Sequence, residues 1–561
     1  MARSLPQCVD TVIIGNGPSA LILSYILHGH LPHYVGGHYD NILSAKLSKD
    51  PNLLHLTSDL YAHFLSSLRY STQALPVNTL LDTLIRPNAD TEINPKSCIE
   101  WRYEPEKAVS HVAIGDTEQV GGQWADNPVS ASADIGTLSY AEQLSLPGYS
   151  YAEHMGKVER EGECDFVRPS RTEFADYLRN YPGAVGISDS IFSGTKVDDV
   201  HRVSDGFFIG SLGIHCKHLV LASGIFTVNI PPPPLLAPIA ELQSSNAPLL
   251  VVGSGFSAAD IIISASPARK VIHIYQWAPD KRPSPLRGCH HSAYPEYATV
   301  YRQMKLAAIA STKSRAARAP LSRRKSTNNP FVSQRDWALY EGLPNAEIIA
   351  VSAVSSGIVI VTIRLATGES KTFEVGGLEY VVGRRGTIDF LSSPLQAEIL
   401  SPIPLSSTTS NQISGRSLRA KAECSLEVAP NVFITGSLTG DSLIRHAVGG
   451  CVFAAGRILG AIPPTFPPDS SIATVLSRAS STPRSASPTS DGKSESTGSS
   501  PVSRAAKSGL TTPGELTNGH ADLHLDRRKL VRSVEVAAAS NRLWVDSGWW
   551  AGGLGPRGSD I

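Results

Sequence analysis

One pattern occurs twice in this sequence: a short apolar strand runs into a glycine-rich turn, and a helix follows at once. In the first copy, a strand at residues 12–14 is followed by Gly15, Gly17 and Ala20 in the spacing G-x-G-x-x-A, then by an apolar helix. Gly15 permits the tight turn, Gly17 lets a phosphate approach the backbone, and Ala20 lets the helix lie against the strand. The helix N-terminus then faces the phosphates. This pattern is typical of dinucleotide binding, with an ordinary strand-to-helix turn as the alternative.

The second copy starts at the strand Leu249–Val252 and repeats the spacing in Gly253, Gly255 and Ala258. Strands and helices alternate around both copies, which predicts an α/β fold with two Rossmann-like dinucleotide-binding domains. Two complete fingerprints imply two dinucleotides. The economical pair is one tightly held flavin, FAD, and one exchangeable nicotinamide that reduces it.

Each loop supplies a set of candidate cofactor-binding residues. The FAD set comprises Gly15, Asn16, Gly17, Pro18, Ser19 and Ala20. The nicotinamide set comprises Gly253, Ser254, Gly255, Phe256, Ser257 and Ala258.

Two further positions bear on the riboses. Lys281 and Arg282 follow the strand Val271–Tyr275, where a ribose 2′-phosphate would need cations, so NADPH is favoured over NADH. Surface solubility is the alternative explanation for both cations.

An acid about 20 residues after the first glycines would hold the adenosine ribose. The second strand is poorly marked, and placing it around residues 33–35 makes Asp40 the candidate.

Two segments outside the loops are candidate flavin contacts. Gly121, Gly122, Gln123 and Trp124 follow a strand-like run at residues 111–114; paired glycines let backbone approach a flat ring, and a Trp can pack over it. A turn with an exposed Trp is the alternative. Asp441 precedes a helix of small residues and could accept hydrogen bonds from a ribityl chain, or could simply be the N-cap of that helix.

The order of segments predicts a discontinuous first domain. The FAD domain would comprise residues 1–240 and 375–462, with the NADPH domain, residues 241–374, inserted between them. The chain would leave the first domain at residues 219–234 and return at residues 380–386. Within the inserted domain, residues 348–373 are typical of short strands with a turn at Thr367 and Gly368.

Residues 463–525 are rich in Ser and Pro, which predicts a disordered tail; residues 526–561 are unassigned. A basic block at about 310–335 is typical of a solvated loop.

Composition excludes several classes of protein. Lys plus Arg and Asp plus Glu both number 50, so the net charge is zero and a nucleic-acid partner is not expected. The seven Cys form no C-x-x-C, and neither H-E-x-x-H nor G-x-S-x-G occurs, so neither a redox dithiol, a metal site nor serine-hydrolase chemistry is expected. No signal peptide and no apolar run long enough to span a membrane is present, and a reducing, cytoplasmic location fits.

The motifs together resemble a known family. GNGPSA, GGQW, SLPG, LASGIFTVNIPPPP, VVGSGFSAADI and GSLTGDS follow the order found in flavoprotein monooxygenases with two dinucleotide sites. IIGNGPSALILSY and YPEYATVYRQMK resemble the oxidative stress-induced growth inhibitor family. The resemblance implies FAD on the first loop, near residues 121–124 and Asp441, and NADPH on the second loop. Ser223 stands where related enzymes usually have Thr, and the F-x-G-x-x-x-H signature of flavin-containing and Baeyer–Villiger monooxygenases is missing.

The sequence therefore predicts an FAD-dependent monooxygenase that uses NADPH and O2 on a small or lipophilic substrate. No catalytic acid or base is identified, and neither the substrate nor the oligomeric state is specified. Two alternatives stay open: a flavin oxidase or reductase that transfers no oxygen, and a regulatory protein that retains the flavoprotein fold.

Overall fold

Two parallel sheets, each carrying one of the glycine loops, are the frame of the structure. A computed structural model describes residues 4–55, 63, 74–87, 96–127, 129, 131, 133–158, 167–242, 246–291, 293–312, 337–354, 357–401 and 412–461. Most of the predicted basic loop and both predicted C-terminal segments, 463–525 and 526–561, lie outside the described residues.

The strands are numbered here in chain order. They are β1 Cys8–Ile14, β2 His30–Tyr34, β3 Ile99–Tyr103, β4 His111–Ile114, β5 Ile191–Phe192, β6 Val200–Val203, β7 Gly206–Ile209, β8 Ile214–Leu221, β9 Val228–Asn229, β10 Leu249–Val252, β11 Val271–Tyr275, β12 Tyr340–Pro344, β13 Glu347–Val354, β14 Ile358–Arg364, β15 Ser370–Val375, β16 Gly377–Tyr380, β17 Arg384–Thr387, β18 Gln412–Ile413, β19 Glu427–Ala429 and β20 Val432–Ile434.

The α-helices follow the same order. They are α1 Pro18–Leu27, α2 Asn41–Leu47, α3 Pro76–Ile85, α4 Ala141–Leu144, α5 Tyr151–Lys157, α6 Arg171–Val185, α7 Ala237–Ala240, α8 Phe256–Ser264, α9 Pro295–Thr312, α10 Ser393–Leu400, α11 Arg419–Cys424 and α12 Ala447–Ile458.

The larger sheet has the strand order β19-β20-β8-β1-β4-β5, with the hairpin β6–β7 added beside β8. β1 lies at its centre and pairs in parallel with β4 on one side and β8 on the other. Helices α1 and α12 pack together, and α1 is almost entirely buried, as its uniformly apolar sequence predicts. Parallel strands covered by helices place the loop ends of β1, β4 and β8 along one edge, where Rossmann-like folds bind dinucleotides.

The smaller sheet, β12-β11-β10-β16, is parallel throughout and surrounds the second glycine loop. An antiparallel meander, β13-β14-β15, follows it in the chain, with the turn around Gly368 where it was predicted. The expected α/β fold with two Rossmann-like domains is therefore confirmed.

The chain passes between the two sheets in paired segments. β9 lies on the outgoing segment and β17 on the returning one, and the two pair antiparallel, with β18 on the other side of β17. Arg384 and Arg385 of β17 are thereby placed between the two glycine loops. Within the described ranges, no helix combines the length and apolar composition that crossing a membrane would need.

Candidate functional site

The first glycine loop joins β1 to α1 at the centre of the larger sheet. Gly15 has φ +128°, and a Cβ atom there would lie 2.5 Å from the carbonyl oxygen of Ala222, so the turn requires glycine. Gly17 differs, because its φ of −81° suits any residue and the nearest atom to a Cβ would be the Gly121 oxygen at 3.9 Å. The fold itself does not need glycine at position 17. The open space in front of Gly17 is what an approaching phosphate would use.

A cavity of about 460 Å³, called here the first cavity, opens in front of this loop. It is the size of a typical cofactor site. It brings together nine of the residues expected to contact FAD: Gly15, Asn16, Gly17, Pro18, Ser19, Gly122, Gln123, Trp124 and Asp441. Ala20 is fully buried beneath the loop instead, as expected of a residue whose small size lets α1 pack against the sheet.

The side chain of Asn16 points into the protein and holds the loop in place. Its Oδ1 accepts a hydrogen bond from Thr117 at 2.8 Å, and its Nδ2 donates to Ser193 Oγ at 3.1 Å. The Asn16 carbonyl accepts a hydrogen bond from the Gly121 N–H. These bonds tie the first glycine loop to the segments after β4 and β5, so Asn16 can face a ligand through its backbone alone.

Residues 122–124 form a short 3₁₀ turn on the wall of the first cavity. The Trp124 ring packs edge-on against Phe174 with ring centroids 4.8 Å apart, and its carbonyl accepts a hydrogen bond from Arg171. Gln123 Oε1 accepts a hydrogen bond from Arg384 at 3.2 Å. Gln123 and Trp124 are thus fixed by partners from α6 and β17.

Asp441 is fully engaged by the protein. Its Oδ1 accepts a hydrogen bond from Arg419 at 2.6 Å, and its Oδ2 accepts from the Leu75 N–H at 2.8 Å and from Asn78 at 2.6 Å. Helix α12 begins later, at Ala447, with His446 as its N-cap, so the alternative of Asp441 as N-cap is wrong. The carboxylate anchors the wall of the first cavity to α3 and α11.

The expected position of the ribose-binding acid is wrong. Among the described strands, β2 pairs antiparallel with β3 in a two-stranded sheet separate from β1, and Asp40 is the N-cap of α2. The strand beside β1 is β4, because residues 28–110 are interposed between the two. The acid after β4 is Asp116, which is exposed and lines the first cavity. The rule that places the acid about 20 residues after the first glycines missed Asp116. That rule assumes that the strand beside β1 follows α1 directly, without an inserted segment such as residues 28–110.

One buried polar atom at the first cavity has no hydrogen-bond partner within the described residues. Among the described side chains, the buried polar atoms without a hydrogen-bond partner are Ser223 Oγ, Thr435 Oγ1 and His446 Nδ1. Of these three residues, Ser223 lines the first cavity. A buried hydroxyl without a partner is unfavourable, so its position at the cavity wall fits a polar ligand group there.

The second glycine loop repeats the geometry of the first. A Cβ at Gly253 would lie 2.5 Å from the Val381 oxygen, whereas Gly255, the N-cap of α8, has an extended backbone with φ −113° that suits any residue. Ala258 is buried against the sheet. The Ser254 carbonyl accepts a hydrogen bond from Ser284, which ties the loop to the turn after β11.

That turn carries Lys281 and Arg282. Both side chains are exposed, and both backbone N–H groups donate to the Ala278 carbonyl. The turn follows β11, the strand next to β10, and Ser284 ties it to the second glycine loop. A ribose 2′-phosphate would be expected at this edge of the sheet.

A second cavity of about 280 Å³ lies between the two loops. Phe256 and Ser257 of the second loop line it, and it shares four residues with the first cavity: Gln123, Trp124, Phe226 and Ser442. Arg171, Arg384 and Arg385 also line it, whereas no carboxylate does among the described residues. Burial lowers the pKa of Arg384 to about 10, and the nearby Arg171 contributes. Sequence reasoning noted Arg384 only as part of the returning segment.

A third cavity of about 200 Å³ adjoins the other two and contains a buried acid, Asp260 of α8. Tyr297 of α9 donates a hydrogen bond to Asp260 Oδ1 at 2.7 Å. Burial raises the pKa of Asp260 to about 6, although the Tyr297 hydrogen bond and the charges of Arg171 and Arg384 oppose the increase. Sequence reasoning missed this residue; an Asp inside the apolar run AADIIIS is the signal that could have revealed it.

We expect Asp260→Asn to stabilise the protein at high pH. The folded-state pKa of Asp260 exceeds its unfolded value of 3.8, so the carboxyl contributes most to stability below about pH 4 and loses that contribution as the pH rises through 6. The amide can still accept the Tyr297 hydrogen bond but carries no charge. The variant should gain up to roughly 3 kcal/mol in free energy of unfolding near pH 8 and little near pH 4. Urea unfolding of both proteins across this range measures the difference; a gain independent of pH would contradict the assignment.

The fold and site define a class: a protein with two Rossmann-like dinucleotide-binding domains, an architecture similar to that of FAD- and NAD(P)-binding flavoproteins. Among curated proteins, the chain is similar to oxidative stress-induced growth inhibitor 1 of Mus musculus, at 24% identity over 82% of this chain and 97% of the relative. The Homo sapiens protein of the same name is 25% identical over the same shares. The resemblance seen in the motifs is confirmed. No family model matches the chain.

Solved structures similar to this one include a flavin-containing monooxygenase from Stenotrophomonas maltophilia, with TM-score 0.41 and 14% identity over 81% of this chain and 98% of that one. The bacillithiol disulfide reductase Bdr from Bacillus cereus gives TM-score 0.42 and 12% identity over 81% and 100%. Similarity at this level supports no conclusion about function.

Proposed function

We propose that the protein is an FAD-binding oxidoreductase that draws electrons from NADPH. The FAD domain would comprise residues 1–240 and 375–462, and the NADPH domain residues 241–374. One observation carries the proposal: the two glycine loops open onto adjoining cavities that share Gln123, Trp124, Phe226 and Ser442. A dinucleotide in each cavity would bring the two redox-active rings to this shared wall.

The residues of the first cavity fit FAD. The space in front of Gly17 suits a pyrophosphate, and the N-terminus of α1 provides N–H donors for it. Asp116, after β4, would accept hydrogen bonds from the adenosine ribose. Ser223 Oγ, which has no partner among the described residues, would donate to an oxygen of the cofactor.

Bound FAD would supply hydride acceptance from NADPH and electron transfer to O2. The chain supplies position and surroundings. Arg384 holds the Gln123 side chain and Arg171 holds the Trp124 backbone, so two of the four shared residues are fixed by hydrogen bonds. The three guanidinium groups that line the second cavity favour an anionic cofactor there.

The finer proposal is a monooxygenase that transfers one oxygen atom from O2 to a small or lipophilic substrate. The third cavity supports it, because it adjoins the shared wall and has a largely apolar lining. The six cysteines of the described part are free thiols, which supports a reducing, cytoplasmic location.

The test is direct. The purified protein should show a flavin spectrum with one FAD per chain, and NADPH should bleach it. The ratio of hydrogen peroxide formed to NADPH consumed, with and without candidate substrates, separates oxygen transfer from oxidase activity. A colourless, folded protein that takes up no added FAD would refute the proposal.

We expect replacement of both Lys281 and Arg282 by Ala to weaken NADPH more than NADH. If one charge-assisted contact to the 2′-phosphate is lost, the selective loss is roughly 1–3 kcal/mol. Stopped-flow flavin reduction with each nicotinamide measures it. An equal loss for both cofactors would mean that Lys281 and Arg282 do not bind the 2′-phosphate of NADPH.

A further inference from the structure

The third cavity lies where the reactive ends of the two proposed cofactors would meet. Trp124 and Ser442 line all three cavities, and Phe256 of the second glycine loop lines the second and third. A molecule in the third cavity would therefore lie next to the shared wall. It would not occupy the space proposed for either cofactor. At about 200 Å³ the cavity is smaller than the sites of drug-sized ligands, so its occupant is small.

Asp260 gives this cavity a specific chemistry. It is the one acid among the described lining residues, and only 7% of its surface is exposed. Tyr297 occupies Oδ1, whereas Oδ2 has no hydrogen-bond partner among the described residues. Because Asp260 lines the third cavity, we assign the cavity-facing position to Oδ2. A carboxylate oxygen only accepts hydrogen bonds, so its natural partner is an O–H or N–H group.

The rest of the lining limits the remainder of the ligand. Ile135, Leu138 and Leu144 contribute apolar surface to the lining. Arg171 reaches the cavity edge, where its Nη1 donates a hydrogen bond to the Trp124 carbonyl. Among the described residues, the lining thus combines a single carboxylate with an apolar wall.

We propose that the third cavity is the substrate pocket, and that Asp260 Oδ2 selects a small molecule with an apolar body and one hydroxyl or ammonium head group. Its role as a substrate pocket rests on the proposed function. Tyr297 is the positioning residue, because its hydrogen bond fixes which carboxyl oxygen faces the ligand. The pKa of Asp260, about 6, supports an ionised acceptor at neutral pH.

Calorimetric titration of the purified full chain tests the head group. The probes are 1-pentanol, n-pentylamine and butyl methyl ether, which are similar in length; the ether differs from the alcohol by lacking a donor. At about pH 7.5, where Asp260 is ionised, the alcohol and the amine should each bind about tenfold more tightly than the ether. The alcohol and amine arms show whether the head group is neutral or cationic. Equal binding of all three, or no binding of any, would overturn the proposal.

Asp260→Asn makes the test specific. The introduced amide would use its oxygen to accept the Tyr297 hydrogen bond, which leaves its NH2 group facing the cavity. The preference for donors over the ether should then disappear. Asp134→Asn is the matched control, because Asp134 is exposed and near Arg171, removes the same charge, and does not line the cavity. An equal loss in both variants would show that bulk charge, not Asp260, sets the preference.

These outcomes separate the pocket from the cofactor. Flavin content is read from the visible spectrum of the same samples, and calorimetry does not depend on turnover. If NADPH bleaches the flavin but no binding depends on Asp260, the substrate-pocket proposal is refuted and the proposed function is not. Asp260-dependent binding in a protein that takes up no FAD would refute the proposed function and the role of the site as a substrate pocket, but leave the donor-selective site.

Discussion

A protein with Gly17→Ala should purify folded but nearly free of flavin. The Gly17 backbone suits alanine, and the added methyl group would have no protein atom closer than 3.9 Å, so the fold has room for it. That methyl group would instead occupy the space proposed for the pyrophosphate of FAD. Loss of one charge-assisted hydrogen bond from the helix N-terminus would weaken FAD roughly tenfold to a hundredfold. Titration of the flavin-free protein with FAD, followed by fluorescence quenching, measures the affinity.

Two other glycines show that the effect is specific. Gly156 lies in α5, and a Cβ there would meet nothing within 4 Å, so Gly156→Ala should leave flavin binding unchanged and raise stability by up to about 1 kcal/mol. Gly15→Ala should destabilise the fold itself, because its Cβ would clash with Ala222. Unfolding of the flavin-free proteins in urea separates the two kinds of loss. Normal FAD affinity in the Gly17→Ala protein would mean that the first cavity does not hold the pyrophosphate.

The local parts of the fold were predictable because short-range sequence encodes them. β10, β11, the two glycine turns and the residues packed behind them follow from apolar runs and fixed spacing. Gly15 and Ala20 are examples, since the reasons for their identity lie within a few residues. The strand β4 was also marked by its own apolar run. What failed was the partner of β1: the spacing rule placed the second strand near residues 33–35, whereas β2 pairs with β3.

The surroundings of the candidate site depend on long-range contacts that no local pattern encodes. Asp441 is held by Leu75, Asn78 and Arg419, so its carboxylate serves the structure although its position in the chain suggested a ligand contact. Asn16 is turned inward by Thr117 for the same reason. Asp260 shows the converse case, because its α8 sequence looks like core packing and only the fold brings Tyr297 and a cavity to it.

The second glycine loop gives the other large effect: Gly255→Val should stop reduction of the flavin by NADPH. The φ of −113° at Gly255 accommodates a β-branched residue, so the change adds bulk at the N-terminus of α8 without backbone strain. Two charge-assisted hydrogen bonds to the pyrophosphate would be at risk, a loss of roughly a hundredfold or more in the rate at low NADPH. Stopped-flow absorbance measures that rate, and dithionite provides a reductant that does not need the loop.

The two glycine variants should each affect one cofactor site and leave the other intact. Gly255→Val should retain bound FAD and its reduction by dithionite, because the first loop lies in a different sheet; Gly17→Ala should lose the flavin itself. If Gly255→Val also empties the flavin site, the two cavities are coupled more tightly than their shared residues indicate. If it is reduced by NADPH at the native rate, the second loop is not the nicotinamide site. The proposed oxidoreductase would then need an electron donor that binds elsewhere.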